Sequence, residues 1–419
     1  MHYFADKPVG PSLKRGCQNA WNPPSSITDV RKFLFLLIVM LFSSQLQAVE
    51  LKRIEVQESN NYRLSGAYKR MLLPDRLDSG EYVALRQYAD LRLKTRLRDE
   101  LDNIYTLAAW VHRRWRHDPY GMAPPQASSL DILHAAERGA RFSCTEYSKV
   151  LRDIFRAYGY ISRAATLQAP GIAYGGLGSA HVAVEVYSSQ LDKWIFLDPQ
   201  WGMYPRYKGQ PISIYEYYRL KKQGREQEVS FNPFQENMIA DVAREVSDYR
   251  AFLDQHLGYL SVDLLADEER VHVLLALQGE SWPLTFQGLP RNAQIFSDDP
   301  QDAYFDANRV SLVLMYRDES QALANMNIEF SSEQEYLDKM PAFAAIPDFT
   351  VKPHHNMPWF AYFEYRIDNR QWTRLKESSL RWSLRPGKNR LEMRAVNEQE
   401  RRGAITYLQI HYGSGGSKP

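Results

Sequence analysis

The sequence has little cysteine, with only Cys17 and Cys144 among 419 residues. So few cysteines exclude a fold built on a disulfide framework, and the length suffices for two or three domains that are stabilised by packing. An excess of charge of one sign is also missing, because 52 Lys and Arg nearly balance 50 Asp and Glu for a net charge of +2. Such a balance gives no long-range field that would favour nucleic acid or a membrane surface as a partner.

A long hydrophobic run is absent as well. The most apolar stretch, residues 33–42, follows Arg31 and Lys32 and leads to Ala48, and it is shorter than the about 20 residues of a membrane-spanning helix. A basic start, a short apolar core and a small residue at the end are typical of a secretory signal. We therefore predict an exported protein, periplasmic or secreted, with residues 1–48 as leader and signal. Contact with a membrane is expected only if this signal is retained as an anchor.

Cys144 is the only cysteine outside this leader. In an oxidising compartment a free thiol is a liability, so its presence points to a use. Ser143 and Glu146 have the spacing of a capping box, in which each bonds the backbone near the other, and this places Cys144 first in a helix. A helix start lowers the pKa of a thiol from about 8.5, which favours the reactive thiolate. The alternative interpretation is that a lone cysteine is a small buried hydrophobic residue.

Two strands follow this helix. Residues 180–187 alternate in hydrophobicity, and residues 193–198 form a short apolar run that ends before a proline. Folded as a hairpin with residues 188–191 as the loop, they place His181 directly opposite Asp198, with valine, isoleucine and leucine on the other face. Directly opposed residues lie close enough for an imidazole and a carboxylate to meet.

A cysteine, a histidine and an aspartate in this arrangement can serve as a nucleophile, a base and a group that orients the base. Cys144 would attack, His181 would take the thiol proton, and Asp198 would fix the imidazole tautomer. The backbone N–H of Cys144 at the helix start would supply one donor for an oxyanion.

Residues 131–202 resemble the core of the transglutaminase-like superfamily of papain-type folds. The resemblance rests on Cys144 at a helix start, on an H-x-x-x-E strand from His181 to Glu185, and on a short strand that ends in Asp198-Pro199. It implies a papain-like core with a Cys144–His181–Asp198 triad. It also makes Trp110, upstream of the nucleophile, a candidate to complete the oxyanion hole, and it implies no cofactor and no metal.

The rest of the chain sets the predicted domain organisation. We expect an α+β fold with a papain/transglutaminase-like core at 49–230, a helical linker at 231–261, and an antiparallel β-sandwich region at 262–419 whose end resembles an immunoglobulin-like module. The β region is inferred from short alternating runs at residues 271–275, 310–316, 327–330, 359–365, 390–394 and 404–410. His354 and His355 are expected in a solvated loop.

The predicted function is cysteine-dependent acyl transfer from a protein or peptide carboxamide through a thioester. The alternatives are a cysteine peptidase or amidase that hydrolyses peptide or cell-wall amide bonds, and a non-enzymatic binding or scaffold protein that keeps the core as a module. An intact triad argues against the scaffold, because a scaffold can lose its nucleophile without penalty.

Overall fold

The structure is a computed structural model that describes residues 52–61, 77–93, 99–263 except 177 and 237, 271–290 except 280, 294–316, 331, 332, 335 and 347–414. The predicted leader and signal at 1–48 and the predicted strand at 327–330 lie outside these residues. Among the described residues, no helix combines the length and the apolar character needed to cross a membrane.

Every α-helix of the described residues begins at a Ser or Asp whose side chain accepts a backbone N–H of the first turn, which satisfies a donor that the helix itself cannot. The helices are α1 (Gly80–Asp90), α2 (Glu100–His112), α3 (Ser129–Glu137), α4 (Cys144–Ala157), α5 (Ile214–Lys222) and α6 (Val242–Gln255). Helices α1–α3 surround α4 in one hydrophobic core. The face of α4 that carries Tyr147 and, at helical spacing, Leu151, Ile154 and Tyr158 is buried in this core.

The strands of the amino-terminal half are β1 (Lys52–Ser59), β2 (Ser162–Gln168), β3 (Ala180–Ser188), β4 (Lys193–Leu197), β5 (Met203–Tyr207), β6 (Gln210–Pro211), β7 (Val229–Pro233) and β8 (Tyr259–Asp263). Those that follow are β9 (His272–Ala276), β10 (Thr285–Phe286), β11 (Leu289–Pro290), β12 (Gln294–Ser297), β13 (Val310–Tyr316), β14 (Asp348–His355), β15 (Phe360–Ile367), β16 (Thr373–Arg374), β17 (Leu380–Ser383), β18 (Gly387–Asn397) and β19 (Thr406–Ser414).

A six-stranded sheet of order β12-β9-β8-β2-β3-β4 forms the centre of the core. It is antiparallel except for the parallel pair β9–β12. One face, with Val184 and Ile195, packs on the helical core of α1–α4. The other face, with Ala183 and Phe196, packs on a second core that includes α5, α6 and the small sheet β6-β5-β7. Both faces of β3 are therefore buried, and polar groups on either face need partners inside the protein.

The register of the β3–β4 hairpin differs from the prediction by two residues. Ser188 pairs with Lys193 and Val184 pairs with Leu197, so that residues 189–192 form the loop. Glu100 of α2 fixes this loop by accepting bonds from the Ser188 hydroxyl at 2.7 Å and from two backbone N–H groups. A shift of two residues keeps every side chain on its face. His181 and Asp198 are therefore diagonal neighbours rather than directly opposed ones.

The carboxyl-terminal strands form two antiparallel sheets, of order β1-β19-β18-β15-β16 and β13-β14-β17. Side chains from both sheets share one hydrophobic core, with Trp382 and Met393 at its interior. The predicted α+β fold with a carboxyl-terminal β-sandwich is thus confirmed. The prediction that His354 and His355 lie in a loop is wrong: both belong to β14, and the ring of His355 stacks on Phe360 with centroids 3.8 Å apart.

Strand pairing and helix packing cross the predicted domain boundaries in three places. The central sheet, rather than the sandwich, contains the three strands that span or follow the predicted boundary at residue 261, namely β8, β9 and β12. α6, predicted as a linker, buries Tyr249 and Leu253 in the second core. β1, assigned by sequence to the core, pairs with β19 of the sandwich. Alternating hydrophobicity identifies a strand but not the sheet that it joins, which is why these elements were misassigned.

Candidate active site

Cys144 is the first residue of α4, as predicted, and its side chain is partly exposed. The Ser143 hydroxyl accepts the backbone N–H of Thr145 at 3.4 Å. The predicted capping box is wrong in its second half, because Glu146 does not bond the backbone of Ser143. Its carboxylate accepts the Ser143 hydroxyl at 2.8 Å and the backbone N–H of Ala123 at 2.9 Å. Glu146 therefore connects the start of α4 to the loop that contains Ala123.

That loop, residues 118–123, lies directly against the nucleophile. The backbone N–H of Ser143 donates to the carbonyl of Gly121 at 2.9 Å, and that of Asp118 donates to Phe142 at 3.1 Å. A Cβ on residue 121 would lie 2.2 Å from the carbonyl oxygen of Arg141, so only glycine allows this approach. The helix start is thus held by backbone contacts on its outer side.

His181 on β3 and Asp198 after β4 form a buried pair. The Nε2 atom of His181 lies 2.6 Å from Oδ2 of Asp198, and the two side chains are 2% and 0% exposed. This leaves Nδ1 as the ring nitrogen available to the thiol of Cys144, and each of these two groups shifts the pKa of the other. The structure therefore brings together the three residues that the sequence singled out.

Four hydrogen bonds hold the Asp198 carboxylate. Oδ2 accepts from His181 and from the Tyr249 hydroxyl, the latter at 2.9 Å. Oδ1 accepts the backbone N–H groups of Gln200 and Trp201, each at 3.1 Å. A carboxylate with this many donors is fixed in position, and so is the imidazole that it binds.

The turn after Asp198 is equally constrained. The backbone N–H of Gly202 donates to the Asp198 carbonyl at 2.8 Å. Gly202 has φ +70°, and a Cβ there would lie 2.6 Å from Met238 and 3.0 Å from His112. His112 donates from Nδ1 to the Pro199 carbonyl at 2.9 Å, and burial lowers its pKa, which keeps the ring neutral. His112 thus has a structural role in this turn.

Helix α6 contributes contacts that the sequence reasoning missed. Besides the Tyr249 hydroxyl on Asp198, the ring of Phe252 packs edge-on against His181, with centroids 4.9 Å apart. The signal was present, since Val246, Tyr249 and Leu253 recur at helical spacing and a tyrosine in a buried stripe needs a polar partner. Nothing in the spacing revealed which group that partner would be.

The electrostatics of the pair favour a charged state. Burial raises the pKa of the Cys144 thiol, but the hydrogen bond and the charge of His181 lower it more, so that the net shift is downward. Burial lowers the pKa of His181, while Asp198 and then Cys144 raise it to about 10. The lowered pKa of the thiol and the raised pKa of the imidazole both favour the thiolate–imidazolium form of the pair.

The pair opens into a cleft of about 560 Å³. The sequence candidate Trp110 does not line it. Trp110 is buried in the helical core, edge-on to Tyr88 at 6.3 Å and beneath Arg114. The assignment of Trp110 to the oxyanion hole is therefore not supported by its position.

A larger groove of about 1060 Å³ lies on the carboxyl-terminal sheets and contains none of the triad residues. Among the described residues, no group of three or more His, Cys, Asp or Glu side chains is arranged to hold a metal.

Comparison with known proteins identifies the same region. Residues 90–199 match the sequence model of the Transglutaminase-like superfamily, a stretch that contains Cys144, His181 and Asp198. A search of curated proteins gave no match.

Two solved structures are among those that resemble the chain. A cysteine protease-like protein from Cytophaga hutchinsonii is 16% identical, with a TM-score of 0.24, over 30% of this chain and 40% of its own length. Red sea bream transglutaminase is 10% identical, with a TM-score of 0.21, over 88% of this chain and 78% of its own. The chain thus spans less than half of the first of these proteins.

Proposed function

Starting from a transglutaminase-like domain at residues 90–199, we propose that the protein is a cysteine-dependent acyltransferase that acts on carboxamides of proteins or peptides. The observation that carries the proposal is the buried His181–Asp198 pair beside Cys144, with both Cys144 and His181 lining one cleft. A purely structural cysteine would need neither the imidazole nor the carboxylate behind it.

In the first half of the reaction, the Cys144 thiolate attacks the carboxamide carbon and a C–S bond forms. Charge develops on the carbonyl oxygen, where the backbone N–H of Cys144 at the start of α4 can stabilise it. The His181 imidazolium then gives its proton to the leaving nitrogen, the C–N bond breaks, and ammonia leaves. A thioester and a neutral imidazole remain.

In the second half, a primary amine attacks the thioester carbonyl and His181 takes the proton of the amine. The C–S bond breaks, an isopeptide or alkylamide product leaves, and the thiolate–imidazolium pair is restored. Water in place of the amine gives a carboxylate, so deamidation is the hydrolytic branch of the same chemistry. Asp198 keeps Nε2 protonated throughout and stabilises the charged ring.

The test uses the full chain with a glutamine-containing protein and a biotinylated primary amine. We expect ammonia release and incorporation of biotin, both absent in Cys144→Ala. Ammonia without biotin would indicate hydrolysis, and new amino termini without ammonia would indicate a peptidase instead. A protein that gives none of these products, and whose thiol alkylates like free cysteine, would be a non-enzymatic module and the proposal would fail.

We also propose that the reaction takes place after export, on protein or peptide partners in the periplasm or outside the cell. The apolar run with its basic start at residues 31–48 and a single thiol beyond it support this location. Fractionation of cells that produce the tagged chain, followed by sequencing of the amino terminus, tests it. A cytosolic chain with an intact terminus would contradict the proposal.

A further inference from the structure

The catalytic cleft has an unusual composition for a site beside a charged pair. Among the described residues that line it, none is Asp, Glu, Lys or Arg. Apart from Cys144 and His181, its polar side chains belong to residues that are neutral at pH 7 or, in the case of His117, neutral for the most part. The charges of the triad are engaged with one another, and none of the other described residues that line the cleft is Asp, Glu, Lys or Arg, so these residues offer no counter-charge to a charged group of a substrate.

One wall of the cleft carries large apolar side chains in contact with solvent. Tyr120 and Met122 both line the cleft, and they are 78% and 75% exposed. Their loop is not free to bury them, because Tyr120 and Gly121 donate backbone N–H groups to Asp118 at 3.0 and 3.1 Å and Gly121 accepts from Ser143. The backbone thus presents these two side chains outward next to the nucleophile.

Two phenylalanines add apolar surface to the cleft. Phe252 and Phe286 line it, and Phe286 belongs to the short hairpin of β10 and β11. Gln287 and Gly288 of this hairpin donate backbone N–H groups to Ile172 and Ala173 at 2.9 and 2.8 Å. The segment 284–289 and the loop 172–174, which these hydrogen bonds join, also carry apolar side chains that are exposed to solvent. The exposed fractions are 81% for Tyr174, 74% for Leu284 and 68% for Leu289.

Exposed apolar groups beside a reactive centre mark a surface that binds a partner. We infer that the cleft selects carboxamides whose neighbouring residues are bulky and apolar, and that it disfavours charged neighbours. This inference rests on the proposed function and specifies its acyl donor. Apolar neighbours would cover Tyr120, Met122 and Phe286. A lysine or glutamate in the same place would lose water without gaining a partner.

The test measures binding preference separately from turnover. Peptides carry a glutamine analogue in which a chloromethyl group replaces the side-chain amide nitrogen, so that the thiolate displaces chloride and labels Cys144 irreversibly. The residues on either side of the analogue are leucine, serine, lysine or glutamate. We expect the second-order labelling rate with leucine to exceed that with lysine or glutamate by about tenfold or more.

The double variant Tyr120→Ser/Met122→Ser should reduce this ratio to about two or less, with an unchanged melting temperature as the check on folding. The matched control is Leu91→Ser, which removes a side chain that is 83% exposed and does not line the cleft, and which should keep the wild-type ratio. Equal labelling by all peptides, or faster labelling by charged ones, would overturn the inference. Failure of the proposed function is distinct, because it would appear as absent ammonia release from the corresponding glutamine peptides, whatever the order of labelling.

Discussion

Replacing Asp198 with asparagine separates its role in catalysis from its role in the fold. The asparagine oxygen can still accept the backbone N–H groups of Gln200 and Trp201, which the Oδ1 atom of Asp198 accepts at 3.1 Å. Its NH₂ group would then face His181 and would donate to Nε2. The imidazole would have to carry its proton on Nδ1, toward Cys144, and would lose the neighbour that raises its pKa.

The expected loss follows from the two coupled pKa values. Without the carboxylate, the pKa of His181 falls and that of the Cys144 thiol rises, so less thiolate is present at pH 7. A thiol with a raised pKa carries less thiolate at pH 7, so both the alkylation rate and turnover should fall. In a serine protease triad, the same change from aspartate to asparagine lowers the rate about 10⁴-fold. A thiolate that the helix start also stabilises should depend less on its carboxylate.

The assay compares turnover and iodoacetamide alkylation of Asp198→Asn, His181→Ala and the wild type between pH 5 and 10. We expect Asp198→Asn to be slower at pH 7 by less than the about 10⁴-fold of the serine protease triad, to recover much of its alkylation rate near pH 9, and to keep a melting temperature close to that of the wild type. His181→Ala should abolish turnover, because His181 is the group proposed to protonate the leaving nitrogen. Wild-type turnover in His181→Ala would refute the triad, and unfolding of Asp198→Asn would make Asp198 a structural residue.

Three further predictions follow from the surroundings of the site. Tyr249→Phe should lower turnover several-fold and shift the pH midpoint of Cys144 alkylation upward, because it removes one hydrogen-bond donor to the buried Asp198 carboxylate. An unchanged pH profile would contradict a role of Tyr249 in positioning Asp198. Glu146→Ala should lower the free energy of unfolding by about 2–3 kcal/mol in urea titrations, and Glu146→Gln by less than half of that, because only alanine leaves both donors unpaired. A fragment of residues 77–230 should lack an activated thiol whereas 77–309 keeps it; equal reactivity of the two would show that α6 and β8 are dispensable.

The catalytic centre was accessible from sequence because its signals are local. The apolar pattern and capping serine of α4 place Cys144, and the alternation of β3 and β4 places His181 and Asp198 on one face. The two-residue error in register did not matter, since faces repeat every two residues. It arose because Glu100, which fixes the hairpin loop, lies 88 residues away from it in sequence.

The parts that sequence reasoning missed depend on long-range contacts. Tyr249 reaches Asp198 across 51 residues, and β1 pairs with β19 near the other end of the chain. Hydrophobic periodicity identifies each of these elements as a helix or a strand but does not say what it packs against. The prediction for Trp110 rests on its position upstream of Cys144 in the sequence. Its burial against Tyr88 shows that sequence order alone does not place a side chain in a cleft.

The most direct test of the account is the rate of iodoacetamide alkylation of Cys144 as a function of pH. The pKa of this thiol is lowered by His181, so the thiolate should persist as the pH falls below the ordinary range of a cysteine. We predict a midpoint clearly below the value of about 8.5 of a free thiol and a shift toward that value in His181→Ala. A midpoint at or above about 8.5 in the wild type, unaffected by His181→Ala, would contradict the activated nucleophile on which the proposed function depends.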